Sequence, residues 1–375
     1  MLFKNAQVFT DRRGFVPGGF TVENGRFETV FTGGTGADGV DLQEAWVIPG
    51  LVDMHIHGAA GADLEDGDAD GLVRMGRYLA RRGVTSFVPT AVAMSRERLA
   101  AAVDAAVAAA DRVEPGCARI AGVRLEGPYL SSSKKGAQNE QYLRRPDLNE
   151  VNDLFERSGG RLLAVDVSPE IPGAAEFARE VSGRCLVSAA HTGADYETAG
   201  AFFEAGGRHL THLFNAMGSI HHRRPGVIGA ASERENVTAE LICDGVHVHP
   251  SAVRMAYRLF SGRICLVSDA LRCCGMPDGE YELGGQPVYL SRGEARLSDG
   301  TIAGSAADLF TCMRRAMAFG IPAGEAVRSA ACRPAEALGL ERRLGDIAPG
   351  LAADFVVCGR EWQPLAVYMD GRLVT

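Results

Sequence analysis

The run Val47-Ile48-Pro49-Gly50-Leu51-Val52-Asp53-Met54 is almost wholly apolar and ends on His55-Ile56-His57. It reads as a buried strand, and two imidazoles two positions apart on an extended chain project to the same side. Seven shorter runs of the same kind follow, at 86–89, 120–125, 162–167, 185–189, 209–213, 239–243 and 264–267. Helical stretches such as 200–205 separate them. Eight strands alternating with helices predict an α/β fold of the TIM-like (β/α)8 barrel type. Residues 279–299 break the alternation with hairpin-like strands and are read as a β insertion after the eighth strand; helices resume at 306–318 and 324–337.

The two ends of the chain have a different texture. Residues 1–46 form short strand-like runs with a hairpin signal at Asn24-Gly25, and 341–375 repeats the pattern around Asp370-Gly371. Neither end is long enough to bury a core alone. They are expected to pack together as one small β-sandwich split across the termini, with the barrel spanning 47–340. The 375 residues accommodate this division, since a barrel takes roughly 250.

Composition narrows the function. Hydrophobic residues make up 46% and charged residues 23%, values of a globular chain that exclude disordered and fibrous classes. A net charge of −8 argues against a nucleic-acid binder, and no run nears the ~20 apolar residues of a membrane span. Nine cysteines, an odd number without a C-x-x-C pair or a signal peptide, point to reduced thiols and a cytoplasmic protein. The adjacent Cys273 and Cys274 cannot readily reach one ion and are read as structural.

Metal-ligating residue types recur at the ends of the apolar runs: His55 and His57 at the first, Glu126 at the third, His191 at the fifth, His212 at the sixth and Asp269 at the eighth. In a barrel the C-terminal strand ends share one face, so these distant residues should converge there. Imidazole and carboxylate without thiolate suit zinc, iron or manganese. Of the three lysines, Lys4, Lys134 and Lys135, none lies at the fourth strand, where a carbamylated lysine could bridge two ions. Glu126 is the remaining bridge, with His55 and His57 on one ion and His191 and His212 on the other. A bound divalent ion lowers the pKa of water from about 16 to about 7. A carboxylate such as Asp269 can take a proton from that water and return it to an amide nitrogen, which must be protonated before it leaves.

With these residues in place, the chain resembles the amidohydrolase superfamily and, within it, the N-acetylglucosamine-6-phosphate deacetylases. The superfamily marks are Pro49-Gly50-Leu51-Val52-Asp53-Met54-His55-Ile56-His57 and the closing Gly345-Asp346-Ile347 with Gly350 and Ala353-Asp354. More specific are Leu125-Glu126-Gly127-Pro128-Tyr129 and Lys134-Lys135-Gly136-Ala137. Most specific are Thr211-His212-Leu213-Phe214-Asn215-Ala216-Met217, His222-Arg223 before Pro225-Gly226, and Asp244-Gly245-Val246-His247. The resemblance implies that Asp269 is the catalytic acid–base and also touches metal, with Glu126, His191 and His212 holding the principal ion and His55 and His57 allowing a second. It further implies that Asn215, Ala216, Arg223 and His247 contact a sugar phosphate, with Ala137 and the loop Ile302-Ala303-Gly304 lining the site. Arg223 would reach the neighbouring subunit's phosphate in a homodimer. Gln138 stands where the family commonly has histidine near the acetyl group, so it can donate a neutral hydrogen bond but cannot become cationic. His221, His222 and His249 are read as structural or surface residues.

The implied reaction is hydrolysis of N-acetylglucosamine 6-phosphate to glucosamine 6-phosphate and acetate. Three alternatives stand against it: the galactosamine epimer as substrate, a cyclic amidase or nucleobase deaminase on the same scaffold, and a catalytically dead barrel that only binds. The missing fourth-strand lysine disfavours many cyclic amidases and the phosphate-binding motifs disfavour deaminases. The complete ligand set disfavours the dead barrel.

Overall fold

The computed structural model describes residues 1–112 and 114–374. Its centre is a parallel barrel whose strands, in chain order, are Leu51–Ile56, Val84–Ala91, Val123–Tyr129, Leu162–Val167, Leu186–Ala189, His209–Leu210, Thr238–Ile242 and Ile264–Val267. Each pairs with the next in sequence. Between the first and eighth, closure is made by the strand-end residues. Asp269 N–H donates to the His55 carbonyl (3.0 Å), and His57 N–H to that of Ala270 (2.9 Å).

The outer helices bury one stripe. In Ala69–Arg81, Leu72, Val73, Met75, Gly76, Leu79 and Ala80 face the barrel at helical spacing, and Asp68 caps the first turn by accepting from Asp70 N–H at 2.9 Å. The single run expected over 47–54 is two strands. Trp46–Pro49 pairs with strands of both termini, whereas Leu51–Ile56 enters the barrel. Gly50 makes the crossing possible: a Cβ there would lie 2.1 Å from Thr85 Oγ1. The helix expected over 324–337 is likewise divided into Ala323–Ala330 and Cys332–Ala337, because Ala331 leaves helical geometry at φ −133°, ψ −65°.

The terminal strands form one hydrogen-bonded sheet. Leu2–Thr10 lies centrally, flanked by Gly14–Glu23 and Arg26–Thr32 on one side and by Trp46–Pro49, Phe355–Cys358 and Pro364–Met369 on the other. Phe20 and Phe27 nevertheless touch Phe355, with ring centroids 4.9 and 6.1 Å apart, so the sheet curls over a shared aromatic core with Phe3 and Tyr368. Asn24-Gly25 and Asp370-Gly371 are two-residue hairpin turns with positive φ at every central residue, as such turns require. The insertion after the eighth strand is the antiparallel set Gly279–Leu283, Gln286–Ser291 and Glu294–Leu297. Among the described residues no helix is long and apolar enough to cross a membrane, and all nine cysteines are unpaired.

Candidate active site

At the C-terminal mouth of the barrel the strand ends bring Glu126, His55, His57, His191, His212 and Asp269 together. Glu126, within the third strand, is central. Its Oε1 lies 3.1 Å from His191 Nε2 and 2.8 Å from His212 Nε2, and its Oε2 lies 3.3 Å from His57 Nε2. Asp269 Oδ1 lies 3.2 Å from His57 Nε2 and 3.5 Å from His55 Nε2. Two triplets therefore share Glu126, one with His55 and His57 and the other with His191 and His212, and either could hold a metal ion.

The backbone bends to make this cluster. His191, His212 and Asp269 follow the fifth, sixth and eighth strands with φ of 45°, 29° and 49°, in the left-handed region that non-glycine residues enter at a cost. That turn swings each side chain off its strand axis and over the barrel mouth. Three of the four opposite ring nitrogens are tied down: His57 Nδ1 to the Thr90 carbonyl (2.9 Å), His191 Nδ1 to that of Lys134 (2.8 Å) and His55 Nδ1 to Glu240 Oε2 (2.8 Å), while His212 Nδ1 is buried without a partner. Carbonyl partners make Nδ1 the donor and leave Nε2 a lone pair aimed at the cluster.

Three observations show that a cation fits here. His55 Nε2 is fully buried without a hydrogen-bond partner and points at two carboxylates. Burial alone would push the Glu126 carboxyl up, but the imidazoles of His55, His191, His212 and His57 hold it well below the usual range. Burial would likewise depress His57 and His212. Asp269 and Glu126 instead hold His57 well above an ordinary imidazole, and Glu126 raises His212 to about 9. Without a cation the carboxylates thus draw protons onto the imidazoles, and the donors are the N and O types of zinc, iron and manganese sites.

A buried polar layer lies beneath, which the sequence reading did not identify. Glu240 accepts from His55 and His212 N–H (3.2 Å) on Oε2, and from His209 Nε2 (3.0 Å) and Arg124 on Oε1. Arg124, wholly buried, also donates to both Asp166 oxygens at 3.0 Å and to Thr211 Oγ1. The available signal was charge inside otherwise apolar strands: Arg124 between Val123 and Leu125, Asp166 between Val165 and Val167, Glu240 between Ala239 and Leu241.

Above the cluster opens a cavity of about 250 Å3 lined by Ala137, Gln138, Asn215, Ala216, His247, Ile302 and Gly304, together with His57, Glu126, His191, His212 and Asp269. His247 is held by Asp244, with Nδ1 2.7 Å from Oδ2. Gln138 is locked at both ends: Oε1 accepts from Ala93 N–H and Nε2 donates to Glu126 Oε2, each at 2.7 Å. Two residues implicated by resemblance stand apart from this lining. Ala303 is buried behind it, and Arg223 lies on an exposed segment against His222 Nε2 at 3.0 Å. His221 and His222 stay on that segment, and His249 caps helix Pro250–Leu259.

Fold and site together define a hydrolase barrel with a candidate metal site, and the amidohydrolase family model matches residues 46–374; the chain belongs to the amidohydrolase family. Within it the chain is similar to a curated N-acetylglucosamine-6-phosphate deacetylase of Vibrio furnissii, 36% identical over 94% of this chain and 89% of that protein. An N-acetylgalactosamine-6-phosphate deacetylase of Escherichia coli O157:H7 is 33% identical, covering 87% of each. Among solved structures, a variant of N-acetyl-D-glucosamine-6-phosphate deacetylase from Mycobacterium smegmatis, in complex with N-acetyl-D-glucosamine-6-phosphate, superposes with a TM-score of 0.94. It is 32% identical, with 100% of this chain and 99% of that one covered.

Proposed function

We propose that this protein hydrolyses the acetamide of N-acetylglucosamine 6-phosphate, releasing acetate and glucosamine 6-phosphate. The observation that carries the reading is Asp269 beside the shared Glu126 cluster, on the floor of a cavity whose wall bears Asn215, Ala216 and His247. His191, His212 and Glu126 would hold the principal cation, and His55, His57 and Asp269 a second. Such an ion lowers the pKa of water and polarises an acyl oxygen.

The side chains divide the remaining work. Asp269 accepts a proton from the attacking water as the new C–O bond forms, then delivers it to nitrogen as the C–N bond breaks. Gln138 has one Nε2 proton committed to Glu126, and its second is available to the acyl oxygen as negative charge develops there. Asn215, Ala216 and His247 orient the sugar phosphate, with Ala137, Ile302, Ala303 and Gly304 shaping the wall. Arg223, too exposed to serve its own cavity, is assigned to the phosphate in a partner subunit's site, where a guanidinium gives bidentate recognition. That assignment makes the protein a homodimer, and its unpaired thiols fit a cytoplasmic enzyme.

The test is acetate release from N-acetylglucosamine 6-phosphate, its galactosamine epimer and unphosphorylated N-acetylglucosamine. Preference for the first supports the reading. The second relative in this family gives the galactosamine substrate its standing, and a higher kcat/KM on that epimer would reassign the enzyme. No acetate from any of the three, with metal supplied, would overturn the deacetylase reading.

A further inference from the structure

The two oxygens of Glu126 face different parts of the cavity lining, which are treated as its two ends. Oε1 faces His191 and His212. A Cβ placed on Gly136 would lie 3.3 Å from His191 Cε1 and 3.7 Å from Ala216 Cβ, so this is the end next to Ala216 and Asn215. Oε2 faces His57 and the Gln138 amide. Because Gln138 is held by Ala93 N–H, the preceding Val92 stands at that second end. A Cβ on Gly284 would lie 3.6 Å from Val92 Cγ2, which brings in Leu283 from the insertion, 4% exposed and lining the cavity.

From this arrangement we propose that Val92 and Leu283 form the acyl pocket, and that Leu283 limits the length of the acyl chain the enzyme accepts. The inference rests on the amide-hydrolase reading above. A planar amide carries oxygen, nitrogen and alkyl group on one carbon at roughly 120°. With that carbon beside Asp269 and the sugar nitrogen directed to the polar end, the alkyl group projects to the opposite end. There stand Val92 and Leu283, two of the cavity's four Val, Leu and Ile side chains with Leu271 and Ile302, and burying a methyl against them is favourable.

The insertion is fixed in place over this end. Gly284 N–H donates to Glu65 Oε2 (2.8 Å), Asn139 Nδ2 to the Gly284 carbonyl (3.1 Å) and Gln286 Nε2 to the Ala137 carbonyl (2.8 Å). A longer chain would therefore meet a braced wall.

The experiment follows release of glucosamine 6-phosphate, the product common to its N-acetyl, N-propionyl and N-butyryl forms. The native enzyme should favour acetyl over propionyl by about tenfold or more, the scale of one misplaced methylene. Leu283→Ala should raise the propionyl-to-acetyl ratio of kcat/KM by about tenfold, and Leu283→Phe should depress even the acetyl substrate. Val92→Ala, on the barrel rather than the insertion, opens the same pocket and should shift the ratio the same way even if Leu283→Ala loosens the insertion. Native ratios in both alanine variants would overturn the assignment while leaving deacetylation intact. If the native enzyme releases amine from none of the three, the amide-hydrolase reading fails and the acyl pocket fails with it.

Discussion

Replacing Glu240 by Gln tests whether the layer beneath the site controls it. The carboxylate meets four donors, two on each oxygen, and an amide can accept at only one end. The least costly arrangement keeps the carbonyl toward His55 Nδ1 and His212 N–H. The NH2 then turns toward His209, whose ring can exchange tautomers because Nδ1 already meets Thr238 Oγ1. Arg124 loses one of its two carboxylate partners but keeps Asp166 and Thr211. Breaking a fully buried pair costs about 3–5 kcal/mol, and the retained partner places this change near 3. His55 keeps its tautomer but loses a charged acceptor, so cation affinity should fall about tenfold, the mild end of the range for such supporting groups. The assays are a thermal melt of metal-free protein, expected to drop several degrees, and chelator competition for bound zinc. Adding Arg124→Met to Glu240→Gln strands the buried Asp166 carboxylate and should lower the melting temperature further. Melting and affinity both unchanged in Glu240→Gln would refute the reasoning.

Asp269→Asn should lower kcat by roughly 10²–10⁴-fold, the usual scale for a proton-transfer group; near-native acetate release would show that the proton travels elsewhere. Arg223→Ala should raise KM for the phosphorylated sugar with little change in melting temperature, because the side chain is exposed, and an unchanged KM would remove it from phosphate binding. Stripping the protein with a chelator should abolish turnover and speed hydrogen exchange at the Asp269 and His57 amides, which close the barrel. Exchange insensitive to metal would uncouple the site from closure. Gly50→Ala should lower the melting temperature through the 2.1 Å collision with Thr85, as measured by calorimetry.

Barrel and cluster were both legible in the chain because each depends on a local pattern. An apolar run ending in His, Glu or Asp marks a strand and the chemistry at its mouth, and Glu126, His191, His212 and Asp269 follow that rule. What stayed hidden depends on pairing across the fold. Arg124, Asp166 and Glu240 look like interruptions of their strands until the barrel closes and sets them against one another. The division at Gly50 was hidden for a related reason. The apolar character of 47–54 is continuous, and only the neighbours of Trp46–Pro49 show that it belongs to the terminal sheet. Gln138 is visible in the sequence as a departure from the family pattern, but its orientation comes from Ala93, forty-five positions away.

Site and closure are the same set of atoms. Among the described residues the first and eighth strands share no ladder, and their seam is made by Asp269 N–H on the His55 carbonyl, His57 and Gly58 N–H on that of Ala270, and Ser268 N–H on Asp53 Oδ1. The Asp269 carbonyl in turn accepts from Ser305 N–H at 2.7 Å, tying the loop of Ile302 and Gly304 to the same point. Asp269 is held at a φ of 49°, a conformation that costs of order 1–3 kcal/mol and that these contacts must sustain. The residue given the proton-transfer task is therefore also the one that joins the ends of the barrel. Its carboxylate is aimed by backbone bonds on both sides of its peptide, so the orientation of Asp269 toward His55 and His57 is set by the fold before substrate arrives.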